Sequence, residues 1–395
     1  MLSNLRGMLP LAEAVRKAGH EVAIGTAPEL KADVEQHGFA HIAAGYAWRP
    51  AMVQDTQDLG GELGEKMTDD DVRYGLAFSY FTGSPAISAA RDLVAAADQW
   101  RPDLIVRSWV EFGGYLAAET LGIPHLSLGI SGGPAALFAP QRLALALAPH
   151  RAALGLAPDP SGGTLYRYRH VALMPPEYDR DVAAIPNTVH HRHDSPFQPG
   201  DRLPSQLVAA IDDGRPLVYV SFGTLAPLLI GEDQNRITSL LRSVLAALAE
   251  LSCVAVVASL NKSHDMELFG RQPDHVHLVG DLAPPLLLER CDLFVTHGGF
   301  NSVRESLARA VPMVAVPLIA EQAYNASNCA ARGLAVAVSP REATGQTILA
   351  ACERVLGDPT YRERARAQRA AIESLPSLDA LAADLEQVTR GWSAR

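Results

Sequence analysis

"DLFVTHGGFNSVRESLARAVPMVAVPLIAEQ", residues 292–322, packs a strand, a glycine pair, a helix and a second strand into one short run. Leu293 to Thr296 is an apolar stretch of strand length, Gly298 and Gly299 interrupt it, and Val311 to Leu318 is apolar again after a helical pattern. Strand, helix and strand in that order build parallel strands, which helices cover on both faces. His297 stands at the lip of the first strand, where a dinucleotide-binding unit would carry its glycine-rich turn. The helix starting near Asn301 aims unpaired backbone N–H groups and the positive end of its dipole at the same spot, an anion site before any side chain is counted. Gly298 and Gly299 let the main chain approach an oxygen closely. Asn301 and Ser302 can cap the helix or donate to a phosphate, and His297 adds another donor; the plain alternative is a capped helix with a structural histidine. Glu305, at i+4 from Asn301, shares its side of the helix. A carboxylate does not coordinate phosphate directly, so a functional Glu305 would accept hydrogen bonds from a ribose, and a structural one would place charge near a helix N-terminus.

The same grammar recurs through the chain. "LAEAVRKAGHEV" (residues 11–22) falls in a helix expected over 9–18 and stopped by Gly19, with a strand from Glu21 to Gly25. "RPDLIVRSWVEFGGYLAAETLGIPH" (residues 101–125) predicts a strand at 104–107, a helix at 112–121 and a strand from His125. Residues 46–90 read as irregular and acidic, with "QDLGGELGEKMTDDDVRYG" a mobile segment or a mixed helical insertion. Between Ile185 and Leu207 four prolines replace the rhythm, and the strand pattern restarts with "PLVYVSFGT" (residues 216–224). The expected organisation is a first domain over 1–190, a linker over 191–214, a second domain over 215–375 and a C-terminal helix over 376–395 that packs back on the first domain. One continuous helix is expected from about 360 to 392. The fold class is α/β, two doubly wound Rossmann-like domains facing each other across a cleft.

Composition agrees with two domains: 395 residues, 48% of them apolar. With 44 acidic against 34 basic residues the net charge is −10, which argues against nucleic acid or an anionic membrane as partner. The four cysteines lie far apart, without metal-ligand spacing, as in a reduced cytoplasmic protein. No apolar run approaches the length of a membrane span, and "MLSNLRGMLP" lacks the pattern of a secretory leader.

The string H-G-G-F-N-S-V-R-E (residues 297–305), with "VYVSFGT" (218–224) and "PLIAEQ" (317–322), resembles the donor site of nucleotide-sugar-dependent glycosyltransferases of the GT-B fold, natural-product (macrolide and aromatic polyketide) type. The resemblance covers most of the chain. It implies that His297, Gly298, Gly299, Asn301 and Ser302 hold the donor diphosphate, that Ser221 and Thr224 reach it from the neighbouring strand end, and that Glu305 holds the ribose. Glu321 and Gln322 stand where an Asp-Gln pair ordinarily binds sugar hydroxyls. Leu282 and Pro285 take the places of a base-stacking Trp and a Gln three residues on, a departure that leans toward a thymidine diphosphate (TDP) over a UDP donor. No cofactor is implied, the nucleotide sugar being a substrate, and no metal. The implied partners are that donor and a small hydrophobic acceptor, the protein acting as monomer or homodimer.

The catalytic pair departs further. A His after the first strand, oriented by an Asp after a later strand, ordinarily activates the acceptor; those positions fall on Asn4 and Ser108. Three explanations stay open: an acceptor needing no strong base, a different base with Glu111 the leading candidate, or a protein that binds donor without turnover. The catalytic candidates are therefore Glu111 and Asn4. The family's first strand is also missing ahead of Asn4, so either the true start lies upstream of Met1 or the N-terminal sheet is incomplete. Asp-x-Asp within residues 68–71 reads as a solvated loop, and His190, His191 and His193 as linker composition. No G-x-G-x-x-G and no Walker-type loop is present. The expected activity is inverting, metal-independent sugar transfer from a TDP- or UDP-sugar; the alternatives are a non-catalytic sugar-nucleotide-binding protein and a GT-B-fold epimerase.

Overall fold

The computed structural model describes residues 2–46, 78, 80–130, 139–195, 202–211, 214–223, 232–258, 266–280, 282–318 and 321–393. The chain divides into two compact units: Met1–Asp194 with Leu375–Arg395, and Ser195–Ser374.

In chain order the first unit contains α1 (Leu2–Lys17), β1 (Ala23–Thr26), α2 (Lys31–Gln36), β2 (Ala40–Ala43), α3 (Ser84–Trp100), β3 (Ile105–Ser108), α4 (Gly113–Leu121), β4 (His125–Gly129), α5 (Pro140–Ala153), β5 (Arg169–Ala172), α6 (Arg180–Ala183) and β6 (Thr188–His190). Gly122 ends α4 in the left-handed conformation (φ 67) that only glycine adopts without strain. The strands are parallel but form two sheets, β1-β2 and β3-β4-β5-β6. Among the described residues no strand pairing joins β1-β2 to β3. β4, inside its sheet, is buried at every residue, whereas no residue of β1 or β2 is. The unit's main core gathers Trp109, Phe112, Tyr115 and Leu116 against Leu143, Leu147 and Tyr166. Of the stretch 46–90, residues 80–82 and those from Ser84 onward are helical, and its acidic part, including residues 68–71, lies outside the described residues.

The second unit runs α7 (Ser205–Ile211), β7 (Leu217–Ser221), α8 (Glu232–Glu250), β8 (Val254–Ala258), β9 (Val276–Val279), α9 (Pro284–Leu288), β10 (Leu293–Thr296), α10 (Phe300–Leu307), β11 (Met313–Ala315), α11 (Gln322–Ala331), β12 (Ala335–Ala337), α12 (Gly345–Gly357) and α13 (Pro359–Glu373). One parallel sheet holds all six strands in the order β12-β11-β10-β7-β8-β9, the doubly wound arrangement. Alternate strand residues explain the layers. Val218, Val220, Ala255, Val257, Leu293 and Val295 pack with Leu241, Val244 and Leu248 of α8 and Ile348 and Cys352 of α12. On the opposite face Tyr219 stacks on Phe294, its register partner, at 4.8 Å between centroids.

The last element, α14 (Leu378–Ser393), belongs to the first unit. The single long helix expected over 360–392 is thus two helices, because Pro376 has no N–H to continue the ladder. The carbonyls freed at this break are used: Leu375 O accepts from the Arg192 guanidinium at 2.7 Å, and Pro376 O from the Arg192 amide at 2.9 Å. The neighbouring histidines are likewise structural rather than linker filler. His190 Nδ1 meets Met174 O at 2.8 Å, His191 Nδ1 meets Ser377 O at 3.0 Å, and His193 Nε2 meets Gly7 O in α1 at 2.9 Å. All four cysteines are buried thiols, and no described helix is long and apolar enough to cross a membrane.

Candidate functional site

In the second unit's sheet β7 and β10 are the adjacent strands from which the order runs outward both ways, and ligands of such sheets bind beyond the carboxyl ends of that pair. The register Thr296↔Ser221 brings the two strand ends level, so His297 emerges beside the Phe222–Gly223 turn. At the other end Asp292 Oδ2 accepts the Leu217 amide at 2.9 Å, and Arg362 of α13 holds Asp292 Oδ1 at 2.5 Å. These contacts fix the register on which the site depends.

Two glycines seat the imidazole. A Cβ at Gly223, where φ is +71, would lie 2.7 Å from His297 Cε1, and one at Gly299 would collide with Nε2. Gly298 has φ +78, and a Cβ there would approach Gln322 O to 3.2 Å. Two buried side chains pin this loop: Thr296 Oγ1 accepts the Gly298 amide at 3.3 Å, and Asn325 of α11 donates to Gly298 O at 2.9 Å. Gly299, the N-cap of α10, supplies no side-chain cap, so no acceptor from that residue competes for the amides of the first turn. Asn301 and Ser302 lie in that turn, each partly exposed.

Burial pulls the His297 pKa down to about 4, against the opposing effect of its hydrogen bond to the Ser221 backbone. The ring is therefore neutral near pH 7, and the positive field of the site comes from amides and the helix dipole rather than from an imidazolium.

The other expected donor residues occupy the same unit. Glu305 is partly exposed, and its Oε1 accepts from Ser195 Oγ at 3.1 Å and stands 3.4 Å from a terminal nitrogen of Arg304. Glu321 is the N-cap residue of α11 without a side-chain cap bond, and desolvation by burial raises its carboxyl pKa. Gln322 is buried, its Oε1 accepting the Leu318 amide at 2.7 Å, so that oxygen holds the loop before α11. Pro285 is buried in α9 and Leu282, just ahead of that helix, is partly exposed. Thr224 lies outside the described residues.

The candidates of the first unit have different surroundings. Glu111 reaches forward to the start of α4, where Oε1 accepts the Gly113 amide at 2.5 Å and Oε2 the Gly114 amide at 2.8 Å. The glycine pair is what permits this: a Cβ at Gly113 would lie 2.7 Å from Oε1, and one at Gly114 2.9 Å from Oε2. Burial raises the Glu111 pKa, opposed by those amides and by the Arg107 guanidinium. Arg107 is itself buried and donates to the carbonyls of Trp109, Glu111 and Leu165, fixing the turn between β3 and α4. Ser108 Oγ is buried with no hydrogen-bond partner among the described residues, and Asn4 sits partly exposed in the first turn of α1.

Sequence reading missed Thr296, Asn325, Arg304, Ser195 and Arg107. Their roles are contacts made through folding, and only Thr296 and Arg304 sit within the stretch 292–322.

The chain is similar to known proteins over nearly its whole length. The family model for the C-terminal domain of "Erythromycin biosynthesis protein CIII-like" matches residues 242–388, and its N-terminal counterpart matches 13–144, together most of the chain. "Aclacinomycin-T 2-deoxy-L-fucose transferase" of Streptomyces galilaeus is 26% identical, over 98% of this chain and 94% of that protein. "Tylactone mycaminosyltransferase" of Streptomyces fradiae is 25% identical, over 97% and 89%. Among solved structures, the Streptomyces sp. SF2575 glycosyltransferase SsfS6, complexed with thymidine diphosphate, superposes with a TM-score of 0.72 at 25% identity, covering 96% of this chain and 95% of that one.

Proposed function

Because the chain belongs to the erythromycin biosynthesis protein CIII-like family of GT-B glycosyltransferases, we propose that it moves a deoxyhexose from a TDP-activated donor to a small hydrophobic acceptor, with inversion and without a metal. The observation that carries this is the seat at the switch point: the α10 amides and His297 converge where a diphosphate would dock. In the reaction the acceptor's nucleophilic atom attacks the anomeric carbon in line as the bond to the diphosphate oxygen breaks. The leaving group gains negative charge there, and amides with an aligned helix dipole stabilise it as a bound cation would. The relatives named as deoxysugar transferases and the relative solved with thymidine diphosphate support the donor class.

The acceptor side favours a substrate that needs little base. Asn4 cannot take a proton usefully, and both Glu111 oxygens are engaged by helix amides. Positioning and leaving-group stabilisation then supply the rate, which suits an acidic phenol, an amine or a carbon nucleophile. Glu321 and Gln322 are the residues assigned to the sugar, and Ser221, Asn301 and Ser302 to the phosphates.

The test is turnover of TDP-deoxysugars against a panel of aromatic and macrolactone acceptors, with and without EDTA, reading the anomeric configuration of the product by NMR. Retained configuration, or activity lost to chelation, would reject the mechanism. Sugar released from donor alone would indicate an epimerase.

A further inference from the structure

Ser195, the first residue of the second unit, lies against the carboxylate assigned to the ribose. Its hydroxyl donates to Glu305 Oε1 at 3.1 Å and accepts from a terminal nitrogen of Arg304 at 3.0 Å. That same nitrogen stands 3.4 Å from Oε1. Arg304 is buried, 2% exposed, and Arg309 holds the clamp from behind by donating to the carbonyls of Ser195 at 3.3 Å and Glu305 at 3.4 Å. Oε1 therefore has both of its lone-pair directions taken. The bonds made to this carboxylate among the described residues all fall on Oε1, which leaves Oε2 for a ligand.

We propose that Ser195 and Arg304 determine which nucleoside sugar the site accepts: by occupying Oε1 they leave Glu305 one oxygen for the ribose, which selects a 2′-deoxyribonucleoside diphosphate over its ribonucleoside counterpart. The proposal rests on Glu305 being the ribose acceptor. A deoxyribose offers its 3′-hydroxyl alone, and Oε2 satisfies it. A ribose brings a second hydroxyl toward an oxygen already engaged, and that hydroxyl gives up water without gaining an acceptor. The preference thus arises at the sugar ring, independently of the base pocket around Leu282 and Pro285.

Calorimetric titration with dUDP and UDP isolates the effect, since the two differ at C2′ only. The wild-type protein is expected to bind dUDP tighter by roughly threefold to tenfold, the worth of one imperfectly paired hydroxyl. S195A opens one lone pair of Oε1 and should bring the ratio toward unity, while S195T, which keeps a hydroxyl, should preserve it. Wild-type preference for UDP, or an unchanged ratio in S195A, overturns the proposal while leaving the ribose assignment standing. E305A separates the two ideas: it should weaken both nucleotides, and if it weakens neither, the ribose assignment fails and the proposal with it.

Discussion

The imidazole of His297 fits its site because residue 223 has no side chain: a Cβ there would stand 2.7 Å from Cε1 and 2.9 Å from Nε2. G223A therefore displaces the ring and also forces a left-handed alanine, a strain of about 1–2 kcal/mol. The variant should stay folded by circular dichroism yet bind TDP at least roughly tenfold more weakly, about 1.4 kcal/mol, in calorimetry. Wild-type affinity would show that the ring is not part of the seat.

Proton uptake should accompany donor binding. Burial keeps His297 neutral down to about pH 4, against the opposing effect of its hydrogen bond to the Ser221 backbone. A diphosphate against the second ring nitrogen favours the imidazolium and raises the pKa of the complex. Affinity should then rise as pH falls through the raised value and level off below about 4. Titrating TDP in two buffers of different ionisation enthalpy measures the uptake, and H297N should lose it; equal uptake in H297N would reject the coupling.

Glu111 makes an opposed pair of expectations. As the carboxylate that caps α4 it should contribute about 1 kcal/mol, so E111Q should lower Tm by a few degrees. As a general base its loss should cost about 10²-fold or more in kcat. With both oxygens engaged by amides, the expected outcome is the lowered Tm with kcat held within about threefold. A large fall in kcat at unchanged Tm would reassign Glu111 to proton transfer.

Acid should weaken the fold through its buried histidines. Burial pulls His125 and His170 down to about 3 and His297 to about 4, from an ordinary 6.5. Below about pH 6.5 the unfolded chain binds protons that the native state refuses, so these groups make stability fall as pH drops and contribute no slope above that value. The raised carboxyls of Glu111 and Glu321 act in the opposite sense. Urea midpoints at pH 5 and 7.5 should differ less in H170N than in wild type, since His170 is fully buried and its Nδ1 pairs with Ser127 at 3.0 Å. An equal difference would place the acid sensitivity elsewhere.

The strand end at His297 and the helix start after it were legible because strand, glycine pair and helix are consecutive, so local geometry alone brings His297 to the α10 amides. The six-stranded sheet was legible for the same reason, as a run of apolar strands punctuated by helices. The hidden features depend on contacts distant in sequence. Asn325 reaches back to Gly298 across a helix, a strand and a loop, and Ser195 meets Glu305 after most of a domain has intervened. The break at Pro376 was visible, but strong helix formers on both sides of it hid its effect. The histidines at 190, 191 and 193 resembled linker composition because the carbonyls they bind lie in other elements.

The discontinuity of the first unit orders events during synthesis. Residues 195–374 are contiguous and can fold as soon as they leave the ribosome, whereas the first unit must wait for Leu375 and the closing helix. Until then Arg192 and His191 lack the carbonyls of Leu375, Pro376 and Ser377 that they bind in the finished protein. Chains cut short by even the final helix would emerge with the second unit complete and the first unclosed, a species exposed to proteolysis from the moment of release.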